Sequence, residues 1–332
     1  MKNLLVILLC FVLSTCKKDS NTPKSSNPTN TILEGNVFVT SYKVIYNSNK
    51  NYQKQFDSLF YVLNKSLSTY QQNSDISKIN RNEDVEIDEH FFKVFETSKK
   101  IFNETVGAFD PTIGAVVNAW DFGPEKEIIG LDSLKIDSLM LSVGFNKVSI
   151  SNNRVLKKAE TFLDFNAIAK GYGVDVLGEF LESKNINNYL VEIGGEIKTK
   201  GINVEKDSRW KVGVEEPNFE HKQIIFKAVS LLNESMATSG TYRKFKVDEN
   251  GNRYSHIIDT KTGYPSKTNL LSISVVTESC MVADAYATAF KTMGLDKAKS
   301  FLETHPELKV YLIYENDNNE FETLSLNGFP EY

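Results

Sequence analysis

The sequence predicts a mixed α/β (α+β) domain over residues 32–332, preceded by an export segment and a tether. Apolar residues recur at helical spacing in some stretches and alternate in others. The two kinds of segment are interspersed without a regular strand–helix–strand repeat, which argues against a doubly wound parallel sheet.

Residues 35–46 alternate, with Val37, Val39 and Ser41 on one face and Phe38, Thr40 and Tyr42 on the other, and read as one strand. Phe56, Leu59, Phe60, Leu63 and Leu67 mark a helix ending near Tyr70. Phe91, Phe92, Phe95 and Phe102 mark a second, ending before Gly107. Residues 107–123 are punctuated by Gly and Pro, and residues 137–143 suit a short helix. The run 164–173 leads into a helix carrying Val174, Leu177 and Leu181. Residues 189–193, followed by Gly194-Gly195, suggest paired strand edges around a tight turn. Further strands are expected at 210–214, 224–229, 256–258 and 271–276, a helix at 281–293, and a closing hairpin at 310–314 and 321–326.

The first residues have the layout of a secretory signal: Lys2, an apolar run over 4–13, then Leu13-Ser14-Thr15-Cys16. That tetrapeptide resembles a lipobox with Cys16 as the lipid-bearing residue; an ordinary cleaved signal is the alternative. Residues 17–31 are polar and suit a flexible tether, which would leave the domain lipid-anchored outside the cytoplasm. Of three cysteines, Cys10 lies in the removed segment and Cys16 would be lipidated, so Cys280 has no partner for an internal disulfide. A net charge of −5 argues against non-specific nucleic-acid binding.

Four stretches carry candidate chemistry. Asp284 and Thr288 are four apart, on one helix face among Ala283, Ala285, Ala287 and Ala289. An exposed carboxylate and hydroxyl there suit a hard cation; equally, Asp284 faces the helix dipole and Thr288 bonds its own backbone. Asp164, followed by Lys170, Gly171 and Gly173 at a helix start, suits phosphate, or the glycines serve close packing. His256, beside the polar turn 259–265, suits a general base or a structural histidine. Ala108-Phe109-Asp110-Pro111 and Trp120-Asp121-Phe122-Gly123 suit an aromatic grip on a planar ring, or a packed loop.

In order along the chain, these blocks resemble the ApbE family, the FAD:protein FMN transferases. The likeness rests on Phe109-Asp110-Pro111-Thr112, Trp120 to Gly123, residues 164–175, Gly194-Gly195-Glu196-Ile197, Ser239-Gly240, His256 to Asp259 with Thr262-Gly263, and Ala283 through Thr288, and it spans roughly residues 35–294. It implies a single ApbE-type domain related to the tunnelling-fold group, with FAD as substrate and magnesium on its pyrophosphate. By position, Phe38, Tyr70, Ala108, Phe109, Asp110, Asp164, Lys170 and His256 fall on nucleotide contacts. The Ala167 carbonyl, Asp284 and Thr288 would hold the metal, and His256 and Lys170 would be catalytic. The implied acceptor is a Ser or Thr hydroxyl on flavoprotein subunits of membrane redox complexes. A magnesium-dependent FAD pyrophosphatase and a non-enzymatic FAD-binding lipoprotein are the alternatives. Two positions depart from the family: Phe38-Val39-Thr40 replaces Met-Gly-Thr, and Ala287 stands where some members carry a second aspartate.

Overall fold

The apolar run Leu270–Thr277 is buried at nearly every position because it lies inside a sheet covered on both faces. The computed structural model describes residues 29–332 except 126–127, 219–223, 243–244, 248–252 and 319. The signal run, Cys16 and residues 17–28 lie outside the described residues.

In chain order the described strands are β1 (Thr31–Val37), β2 (Thr40–Tyr46), β3 (Ser149–Ser151), β4 (Arg154–Leu156), β5 (Tyr189–Ile193), β6 (Glu196–Lys200), β7 (Trp210–Glu215), β8 (Ile225–Leu231), β9 (Ser235–Gly240), β10 (Phe245–Val247), β11 (Arg253–Ser255), β12 (Leu270–Thr277), β13 (Lys309–Glu315) and β14 (Phe321–Leu326). The helices are α1 (Gln53–Leu67), α2 (Asp75–Asn80), α3 (Glu89–Glu104), α4 (Gly114–Ala119), α5 (Ser133–Met140), α6 (Ala169–Ser183), α7 (Cys280–Met293) and α8 (Leu295–Leu302). Eight strands form one antiparallel sheet in the order β1-β2-β5-β6-β9-β12-β13-β14. The mixed α/β expectation therefore holds.

Two layers sandwich this sheet. On one face Ile273 and Val275 of β12 and Ala237 of β9 pack in the same core as Ala283, Ala287 and Phe290 of α7. On the other, Trp210, Val214, Val229 and Leu231 of the β7–β8 pair pack against Met236, Val276, Tyr311 and Ile313. A strand apolar on both faces reads as a continuous run rather than an alternation. Helix ends follow local chemistry: Asp88 accepts from Phe91 N at 2.8 Å to open α3, and Gly294 at φ +77° closes α7.

Three expectations change. Residues 35–46 form not one strand but a hairpin, reversed at Phe38 and Val39, whose φ values are 49° and 60°. Their alternation runs unbroken through the two-residue turn, and neither is a turn former, so periodicity conceals the reversal. The stretch 256–258 is not a strand of the sheet; it follows β11, with Ile258 in an isolated bridge to Pro265. The tether ends earlier than expected, since Thr31 already belongs to β1.

Candidate functional site

The site is built on the seam between α6 and α7. A Cβ on Gly171 would lie 2.4 Å from the Cys280 carbonyl oxygen and 2.8 Å from Asp284 Cβ, so only glycine allows this approach. Across it, the Gly171 amide donates to Asp284 Oδ2 at 3.0 Å. Gly171 therefore lies in the first turn of α6 with its N–H committed to a side chain of α7, not presented to a phosphate as the sequence suggested.

Asp175 pins the same seam one turn further along α6. Its Oδ1 accepts from Cys280 N at 3.1 Å and Lys198 Nζ at 2.8 Å; its Oδ2 accepts from Ser279 Oγ at 2.7 Å and Met281 N at 2.9 Å. A carboxylate on the unpaired amides at the start of α7 also complements the helix dipole. Asp284 thus projects from a helix whose start is fixed.

Asp284 is only 4% exposed, which corrects the exposed carboxylate expected from the sequence. Burial pushes its carboxyl well above the ordinary carboxylate range; the Lys170 ammonium pulls it down, Glu196 raises it further, and the Gly171 amide lowers it. Lys170 Nζ meets Glu196 Oε1 at 2.5 Å. One turn further along the same face of α7, Thr288 Oγ1 lies 3.2 Å from Ser239 Oγ of β9.

A cleft of about 260 Å³ opens over this seam. Tyr70, Ala108, Phe109, Asp110, Asp164, Ala167, Lys170, His256, Asp284 and Thr288 all line it, although they are scattered from residue 70 to residue 288. Phe38 does not; it lines an adjoining hollow of about 360 Å³ that shares Tyr70, Asn166 and Lys170 with the cleft.

The opposite wall is made of loops tied to one another. Thr260 Oγ1 donates to Gly107 O at 2.6 Å, Lys261 Nζ to Val106 O at 2.6 Å, and Trp120 Nε1 to Gly263 O at 2.9 Å. These bonds hold the 105–123 loop against the 256–265 turn. His256 is half-buried there, edge-on to the Phe122 ring at 6.3 Å between centroids.

Two acidic residues are engaged locally. The buried Asp110 accepts from Thr112 N at 2.9 Å and Thr112 Oγ1 at 2.6 Å through Oδ1, and from Phe145 N at 3.3 Å through Oδ2. Asp164 accepts from Asn166 N at 2.7 Å and Asn166 Nδ2 at 3.1 Å. Asp110 shapes the loop that carries Phe109, and Asp164 shapes the turn that carries Ala167. Among the described residues, no group of three or more His, Cys, Asp and Glu side chains is placed to hold a metal ion.

Sequence reasoning assigned no role to Glu196, Ser239, Asn166 or Asp175. Its place as the first residue after the Gly194-Gly195 turn, beside Ile197, is the one local feature that singles out Glu196.

The family model described as the ApbE family matches residues 38–312. An FAD:protein FMN transferase from Haemophilus influenzae is 34% identical, covering 99% of this chain and 96% of that protein. One from Vibrio cholerae is 32% identical over 100% of this chain and 97% of its own. Among solved structures, the flavin transferase ApbE from Vibrio cholerae superposes with a TM-score of 0.81 at 30% identity, covering 90% of this chain and 97% of that one. The ApbE protein from Thermotoga maritima gives 0.77 at 26% identity, over 89% of this chain and 96% of that one. The cleft, the α6–α7 seam and the sheet beneath them are those of a chain that belongs to the ApbE family.

Proposed function

We propose that this chain is an FAD:protein FMN transferase that uses magnesium and releases AMP. The observation that carries the reading is the convergence of Lys170, Asp284 and Thr288 on one cleft in a chain of this family.

The residues present fit a magnesium ion. The donors are all oxygens, as a hard cation requires, and Asp284 is a buried carboxylate with a single N–H donor among the described residues. Asp284, Thr288 and the Ala167 carbonyl would hold it; Ala287 is fully buried and adds no carboxylate, so water and phosphate oxygens would complete the shell. When bound, the ion supplies charge neutralisation and alignment of the diphosphate.

In the reaction an acceptor Ser or Thr oxygen forms a bond to the FMN-side phosphorus, and the bond from that phosphorus to the AMP oxygen breaks. His256 takes the proton that the acceptor hydroxyl loses. Lys170, on the cleft wall, places a fixed positive charge beside phosphate oxygens. Tyr70 and Phe109 provide the aromatic surface for a planar ring, and Phe38 shapes the neighbouring hollow. Asp110 and Asp164 hold the loops that present these groups.

The location and partner belong to the same proposal. Cys16 carries lipid, and the domain sits outside the cytoplasm at a membrane. There the acceptors would be flavoprotein subunits of membrane redox complexes. The lipobox-like tetrapeptide and the polar stretch behind it support this.

Purified protein incubated with FAD and magnesium tests the chemistry. AMP release is expected to depend on added acceptor and to match the FMN attached to it. Rapid AMP release without acceptor would instead identify a pyrophosphatase, and FAD binding with no AMP under either condition would identify a flavin-binding protein.

A further inference from the structure

Glu196 is the first residue of β6 and is only 2% exposed, yet it lines the cleft. One carboxylate oxygen holds Lys170 Nζ at 2.5 Å. The other, Oε2, is buried and has no hydrogen-bond partner among the described residues. A buried charge left this way is costly, and folded proteins rarely tolerate one without a use. Asp175, buried on the same seam, has four donors, so the fold is able to satisfy a carboxylate here. The terminal torsion of a glutamate is soft, so a small rotation presents Oε2 to a ligand in the cleft.

We propose that Glu196 is a positioning and recognition residue of the nucleotide site. One oxygen aims Lys170 at the cleft, and the other accepts a hydrogen bond from an N–H or O–H donor of the bound flavin nucleotide. This rests on the reading of the cleft as an FAD site, and it deepens that reading. A charge-assisted hydrogen bond made only in the complex contributes to affinity without contributing to the free fold. The donor lies on either half of the dinucleotide, the flavin imide and ribityl hydroxyls or the adenine amine and ribose hydroxyls, and the two halves are separable as ligands.

The test is equilibrium binding of FAD, FMN and AMP to wild type and Glu196→Gln, each in EDTA and in magnesium. The amide keeps the shape and the oxygen facing Lys170, but turns a donor toward the ligand. The dissociation constant for FAD is expected to rise about tenfold, equally in EDTA and magnesium. The same loss should appear for whichever of FMN or AMP carries the donor. A loss confined to magnesium would mean that Glu196 acts through the cation, and unchanged affinity with only a lower melting temperature would mean a structural role; either overturns the proposal. Where Glu196→Gln does not fold, wild type is titrated with FMN and AMP analogues in which each N–H or O–H donor is replaced in turn. One replacement should cost about tenfold, and a series without such a member overturns the proposal. Binding is read without an acceptor, so a chain that binds FAD but transfers nothing would sink the transferase reading and still decide the role of Glu196.

Discussion

Two aspartates, Asp175 on α6 and Asp284 on α7, are buried on the seam between those helices. Asp175 takes four donors from α7 and β6, while Asp284 takes one amide from α6. The difference separates a carboxylate used to build the fold from one held ready for something else. A fully satisfied buried charge rigidifies its surroundings, whereas an under-satisfied one subtracts from stability and persists where a ligand completes it.

The largest effect is expected at Asp175. Asp175→Ala strips the α7 start of its cap and leaves Lys198 without its close carboxylate, a loss of about 3–5 kcal/mol in denaturant unfolding. A loss below about 1 kcal/mol would break the comparison. Gly171→Ala comes next: the added methyl meets the Cys280 carbonyl and forces the helices apart, costing about 1–3 kcal/mol and misplacing Asp284. Stability and FAD affinity are expected to fall together in that variant.

Lys291 extends the contrast to the far end of α7. It is fully buried, its ammonium donates to Thr268 Oγ1 at 2.9 Å, and burial pulls its pKa down to about 8. Its folded pKa lies below the unfolded value of about 10.4, so the charged form is penalised in the fold. The penalty is fully present below pH 8 and disappears as pH rises toward 10.4. Lys291→Met is therefore expected to stabilise the protein by about 2–3 kcal/mol at pH 7, with the gain shrinking between pH 8 and 10 in paired melts. A gain independent of pH would contradict this. Asp284→Asn keeps an acceptor for Gly171 and removes an unpaired charge, so its stability should match wild type or exceed it by about 1 kcal/mol. The smallest effect is expected at the β1–β2 turn: Val39→Gly relieves a β-branched residue at φ 60° and should raise stability by about 1 kcal/mol.

Much of the scaffold was legible because its signals are local. The α7 pattern, the Gly194–Gly195 turn and the closing β13–β14 hairpin follow from periodicity and turn chemistry. The hairpin at Phe38–Val39 was not, since tertiary packing of Phe38 against Gly173 and Phe60 overrides the turn preferences of its residues. Strand β9 was missed because, Met236 apart, Ser235–Gly240 is made of small and polar residues that show no apolar alternation. The cleft residues emerged from their order along the chain, whereas single spacings left each one ambiguous. Long-range pairings were invisible: no local pattern shows that Asp175 caps a helix a hundred residues away, or that Glu196 faces Lys170.

The central claim is that Asp284 serves chemistry rather than folding, and mass spectrometry of an acceptor flavoprotein subunit co-expressed with the wild-type or Asp284→Asn chain tests it most directly. The account predicts one FMN on a Ser or Thr of the acceptor with wild type, and none with a variant that unfolds at the same denaturant concentration or higher. Equal flavinylation by both chains, or loss of flavinylation only because the variant is unfolded, would contradict it.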